Sequence, residues 1–117
     1  MTEAPGCLLF VYGSLKRGQS NHHELGSAVF VCEARTAPQF ALRVRDGFPL
    51  LVAGAQSIRG ELFVLPTAQL PALDAFEGQD YRRCEIELRD HRCAITYMAR
   101  DPSDGVAYPG DEWLDSQ

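Results

Sequence analysis

The chain lacks the marks of several large functional classes. No run approaches the ~20 consecutive apolar residues that a membrane-spanning helix needs. The apolar stretch at residues 7–12 is too short for the core of a secretory signal, and Glu3 stands before it in place of Lys or Arg. These absences predict a cytoplasmic protein with no membrane partner. Basic clusters are missing too. Lysine and arginine number 11 against 16 aspartates and glutamates, which gives a formal net charge of −5. Lys16-Arg17 is a pair and not a patch, so no nucleic-acid partner is expected. No Cys-x-x-Cys occurs among Cys7, Cys32, Cys84 and Cys93. Three of these sit in strand-like patterns, where free cysteine behaves as a small apolar residue. His22, His23 and His91 are not spaced as zinc ligands, so no metal is expected. There is no internal repeat and no low-complexity segment.

What the chain does have is a core. A hydrophobic content of 45% over 117 residues fits one domain, 1–117, and leaves no room for a second. Strand patterns fall at 7–12, 28–35, 40–45, 50–53, 59–65, 83–89 and 92–99, with Arg45-Asp46-Gly47 and Asp90-His91 as turn signals. One helical turn is predicted from Asn21 to Gly26. Pro66-Thr67 opens the one convincing helix, with Thr67 as its cap, regular structure beginning nearer Leu70, and Gly78 as its stop. Leu70, Leu73 and Phe76 give that helix an apolar stripe. After Asp101-Pro102 the chain reads as an extended tail packed chiefly through Tyr108 and Trp113. The pattern is α+β, with a largely antiparallel sheet long enough to curl toward a barrel.

Two stretches carry chemistry. In "FVYGSLKRG" a buried strand stops on Tyr12 and Gly13. Such an ending leaves backbone amides that can bind a carboxylate or phosphate, and Gly13 lets a ligand approach closely. Composition alone equally allows a plain turn. A phosphate-loop reading fails, because "GSLKRG" lacks the G-x-x-x-x-G-K-[ST] spacing. In "LDAFEGQDYRR" Glu77 falls in the last helical turn, where the partial negative charge of the helix end disfavours an anion. A raised pKa there suits a general acid or base. The plainer alternative is a solvated carboxylate paired with Arg82 or Arg83, and Asp74 reads as a surface or capping group.

Together "VYGSLKRGQSNHHEL" and, some 60 residues on, "LDAFEGQDYRR" resemble the γ-glutamylcyclotransferase-like family, and most of all its short members such as γ-glutamylamine cyclotransferase. The closing "YPGDEW" is similar to the ending of bacterial relatives. The resemblance implies a small barrel of mixed strands with one or two short flanking helices. It implies a cofactor-free enzyme whose small-molecule partner is a γ-glutamyl substrate. The α-amine of the substrate attacks its own γ-carbonyl, an amine leaves, and 5-oxoproline forms. Carried over, Tyr12, Gly13, Ser14 and Leu15 line the glutamyl pocket and Glu77 is the catalytic acid/base. Tyr81 and Arg82 border the mouth in this reading, and Tyr97 belongs either to the core or to the pocket. The rival reading is a non-catalytic module that binds a small carboxylate. A weaker third is a scaffold that meets a protein partner through the tail. Neither the leaving amine nor the oligomeric state follows from the sequence.

Overall fold

A computed structural model describes residues 6–114; Glu3 and tail positions 115–117 lie outside them. In chain order the elements are β1 (Gly6–Val11), a 3₁₀ turn (His22–Leu25), β2 (Val29–Arg35), β3 (Phe40–Arg45), β4 (Phe48–Ala53) and β5 (Arg59–Pro66). A second 3₁₀ turn (Thr67–Gln69) leads into α1 (Leu70–Glu77), followed by β6 (Tyr81–Glu87), β7 (Cys93–Ala99) and β8 (Val106–Tyr108). No helix among the described residues is long and apolar enough to cross a membrane.

The α+β class and the mixed, largely antiparallel pairing hold, but the barrel does not close. The strands form two open sheets, ordered β2-β5-β1-β7-β6 and β4-β3-β8. A bulge between Phe30 and Cys32 bends β2 across its partner β5. The curl brings the two edge strands together only beyond their ends. There the Thr36–Leu88 bridge forms, and Ala37 and Arg89 donate amides to the carbonyls of Glu87 and Arg35. No ladder follows, so the sheet stays open. The tail also departs from expectation, since residues 106–108 pair with β3 as a short strand. Its packing is as expected: the Tyr108 and Trp113 rings lie 5.1 Å apart, and Trp113 is buried.

β1 explains its own unbroken apolar run. It lies between β5 and β7, antiparallel to the first and parallel to the second. Phe10 packs with Phe40, Leu42, Leu51 and Leu62 between the two sheets. Leu9 and Val11 pack with Leu25, Phe63, Leu65, Leu70 and Leu73 on the α1 side. A strand buried on both faces has no polar alternation to show.

Tyr12 then ties the sheets together. Its hydroxyl donates to the Tyr97 carbonyl on β7 at 2.6 Å and accepts the Leu51 amide on β4 at 3.2 Å. Tyr12→Phe keeps the ring but leaves a buried carbonyl and a buried amide unpaired. A loss of about 1–3 kcal/mol in unfolding free energy is expected. Urea titration checks this, and an unchanged midpoint would mean that water replaces the phenol without cost.

The helix begins as its proline demands. Pro71 occupies its first turn, and no side-chain cap is made, so Thr67 belongs to the 3₁₀ lead-in and does not serve as the cap. Gly78 terminates α1 at φ 78°, a left-handed conformation that favours glycine, and its amide bonds the Asp74 carbonyl at 3.1 Å. Leu70 and Leu73 are buried as the stripe requires, whereas Phe76 is 39% exposed.

Candidate active site

A cavity of about 520 Å³ opens beyond the end of β1, walled also by the middle of β7, the start of β4 and the last turn of α1. Tyr12, Gly13, Ser14, Leu15 and Glu77 all lie on its wall, together with Tyr81 and Tyr97. Arg82 does not. The two sequence motifs, some 60 residues apart, therefore meet in one concave site.

The loop after β1 is held through its oxygens. The Gly13 carbonyl accepts the Lys16 amide at 3.1 Å, and the Ser14 carbonyl accepts the Asn21 amide at 2.9 Å. Asn21 Nδ2 also donates to Ser14 Oγ at 2.9 Å, and the Leu15 carbonyl lies 2.9 Å from His22 Nδ1. By contrast, the amides of Gly13, Ser14 and Leu15 have no acceptor among the described residues. A loop whose carbonyls are engaged and whose amides are open has the polarity of an anion site. Gly13 also has a packing reason. A Cβ there would lie 2.6 Å from Pro49 Cγ, so glycine is required by the packing of β4 against the loop.

The Glu77 carboxyl has no ion pair and no hydrogen bond among the described residues. Arg83 does not reach it, because Arg83 pairs with Asp74 at 3.3 Å. Asp74 also accepts the Tyr97 hydroxyl at 2.6 Å, which makes it an anchor and not a bare surface group. Tyr97 belongs both to the core and to the cavity wall. The Tyr81 hydroxyl donates to the Pro49 carbonyl at 2.8 Å.

Burial pushes the Glu77 carboxyl up from 4.5 to about 7. The direction is the expected one, but the cause is desolvation, with no neighbouring charge needed. Burial also raises the phenols of Tyr12, Tyr81 and Tyr97, and the charge of Glu77 adds to each shift. The three phenols stay neutral at physiological pH, and Glu77 is poised to exchange a proton there.

The same desolvation has a consequence for stability. The folded state holds the Glu77 proton up to about pH 7, whereas the unfolded carboxyl loses it near 4.5. Stability therefore falls as pH rises through that window. Glu77→Gln cannot lose the proton. It is expected to be more stable than the native chain at pH 8, by about 1–3 kcal/mol, and no more stable at pH 4. Thermal melts at the two pH values check the sign. A variant less stable at pH 8 would show that the ionised carboxylate is favourably bound.

Sequence reasoning missed part of the wall. Arg45, Asp46, Phe48, Pro49 and Asp80 also line the cavity. Asp46-Gly47 was legible as a tight hairpin turn, with both residues at positive φ. That Asp46 would share a cavity with Glu77 depends on how one sheet packs on the other.

A family model described as gamma-glutamyl cyclotransferase, AIG2-like, matches residues 9–115, and the chain belongs to that family. It is 38% identical over 93 residues to gamma-glutamylaminecyclotransferase A of Danio rerio; the match spans 69% of this chain and 58% of that protein. It is 30% identical over 110 residues to the gamma-glutamylcyclotransferase family protein YtfP of Escherichia coli K12, covering 92% of this chain and 96% of the relative. The crystal structure of an AIG2-like protein from Mus musculus shares the fold at a TM-score of 0.79 and 24% identity, over 93% of this chain and 88% of the other.

Proposed function

We propose that the protein is a γ-glutamyl cyclotransferase that releases an amine from a γ-glutamyl amide and forms 5-oxoproline. The observation that carries this reading is the placement of an unpartnered carboxyl, poised near neutrality, in one cavity with a loop of open amides. Family membership supports the same chemistry.

In this mechanism the amides of Gly13, Ser14 and Leu15 hold the α-carboxylate of the substrate. With that end fixed, the γ-glutamyl chain folds back so that its α-nitrogen meets its own γ-carbonyl carbon. Intramolecular attack from a held geometry removes much of the entropic part of the barrier. Ionised Glu77 takes a proton from the α-ammonium. The nitrogen then forms the ring C–N bond, and the tetrahedral carbon expels the amine. Glu77 returns its proton to the departing nitrogen, then relays the second proton of the ring nitrogen to the released amine, which leaves as an ammonium, and Glu77 ends as it began. The atoms balance with substrate and protein alone. Tyr12, bonded to Tyr97 and Leu51, shapes the wall and takes no proton.

A binder of small carboxylates would gain nothing from a second carboxyl in the same cavity, which favours turnover over simple binding. The test is a panel of γ-glutamyl amides and peptides with 5-oxoproline read by mass spectrometry. Release from at least one member is expected. Binding of γ-glutamyl ligands with no release from any would replace the enzyme with a binding module.

A further inference from the structure

From the loop after β1 we infer that Lys16 is a positioning residue: its buried ammonium ties the Gly13–Leu15 amides to the tail at Trp113, so that the tail sets how tightly the site holds a carboxylate. The inference deepens the cyclotransferase reading and rests on its assignment of the substrate α-carboxylate to those amides.

Lys16 follows Leu15 in the chain but takes no part in the cavity wall. It is 5% exposed, and no other lysine or arginine among the described residues is buried. A buried ammonium is costly unless acceptors meet it, so its bonds fix where it sits. Lys16 Nζ donates to the Trp113 carbonyl, 97 positions away. The amide of the same residue donates to the Gly13 carbonyl at 3.1 Å and closes the turn that contains Ser14 and Leu15. A shift of the Lys16 side chain is therefore passed to the turn that presents the open amides.

The tail is itself firmly placed. The Trp113 ring belongs to the core between the sheets, with Phe10 and Tyr12. The Asp111 carbonyl accepts the Arg59 amide at 2.8 Å, its carboxylate meets Arg35 at 3.0 Å, and Glu112 lies 3.6 Å from Arg59 Nε. Val11 faces Glu61 in the β1–β5 ladder, so Arg59 lies at the sheet end where the loop begins. The tail thus crosses β5 beside the loop. Arg17 pins the other side, with its amide 2.8 Å from Glu61 and its guanidinium over the Phe30 ring. The amides are held between an anchor on β5 and an anchor on the tail.

The α-carboxylate keeps its charge through the reaction, so loosened amides weaken ground state and transition state alike. That raises KM and spares kcat. Lys16→Met keeps a long apolar stem and removes the ammonium. On a substrate from the γ-glutamyl panel its KM is expected to rise about tenfold, with kcat within about twofold of native. A purely structural defect lowers the active fraction, which cuts kcat and leaves KM alone. Trp113→Leu keeps the lysine charge and frees the tail. It is expected to raise KM as well, and the double variant should be no worse than Lys16→Met, because the same link is already lost. If Lys16→Met fails to fold, Trp113→Leu decides alone. Calorimetric titration with 5-oxoproline, which carries the same carboxylate, is expected to show about tenfold weaker binding by Lys16→Met without any turnover. A folded variant with native KM, a loss confined to kcat, or effects that multiply in the double variant would overturn the inference and leave the cyclotransferase reading intact. If the native protein releases 5-oxoproline from no γ-glutamyl amide, the cyclotransferase reading fails and the titration still decides. Weaker binding by Lys16→Met then supports the tie, and equal binding, or none by the native protein, overturns it.

Discussion

Glu77→Gln is expected to bind γ-glutamyl ligands and to turn them over at least about 10²–10⁴-fold more slowly than the native protein. That range is what a positioned acid–base group contributes, and Glu77 serves both attack and release in the proposed cycle. The substitution is nearly isosteric, and no ion pair or hydrogen bond of the Glu77 carboxyl exists among the described residues for it to break. The fold is therefore kept. Binding should hold or tighten, because the carboxylate of the ligand no longer shares the cavity with a second anion. Calorimetric titration beside a 5-oxoproline assay separates the two effects. A variant that cyclises at the native rate would mean that another group moves the proton.

Gly13→Ala is expected to be almost as damaging, for a steric reason. Its new methyl carbon would sit 2.6 Å from Pro49 Cγ, and a proline ring cannot swing aside as a flexible side chain would. Either the loop or the start of β4 must move. If the loop moves, the amides leave the position that holds the α-carboxylate. If Pro49 moves, its carbonyl pulls on the Tyr81 hydroxyl bonded to it at 2.8 Å, which lies on the same wall as Glu77. A misplacement of about 1 Å at a positioned reaction can cost about 10²-fold, so kcat/KM should fall by roughly that amount. Circular dichroism should show a retained fold. A folded Gly13→Ala protein with less than about tenfold loss would show that the loop position is not critical.

Both predictions turn on residues that the sequence exposed, although the reasons did not all survive. Glu77 drew notice as an anion at a helix end, yet the force on it is desolvation, which exists only once α1, β4 and β6 enclose the cavity. Gly13 was marked as a point of close approach for a ligand, and Pro49, 36 positions away in the chain, packs against it as well. Local signals were read well where the cause was local. The Asp46-Gly47 and Asp90-His91 turns, the 40–45 strand and the Gly78 stop all follow from residues beside them.

Non-local pairing was harder to read. The strand count suggested closure into a barrel, but closure depends on how the distant edge strands β2 and β6 meet, and they do not pair as a ladder. Likewise Phe76 fitted the apolar stripe of α1 by spacing. Its place on the cavity rim follows from where the helix ends against the sheet. Arg45 gave no sign beyond its neighbouring turn, because its partners Asp80 and Asp104 lie 35 and 59 residues away.

The most direct test of the account is the pH dependence of kcat/KM for 5-oxoproline release by the native protein, measured from pH 5 to 9 on a substrate found in the panel. The attacking amine must lose its proton to ionised Glu77, and burial places that ionisation at about 7. The account predicts activity that rises with unit slope through the acid limb, bends near pH 7, and loses that bend in Glu77→Gln. A profile flat across neutrality, or a bend near 7 that persists without the Glu77 carboxyl, would contradict it.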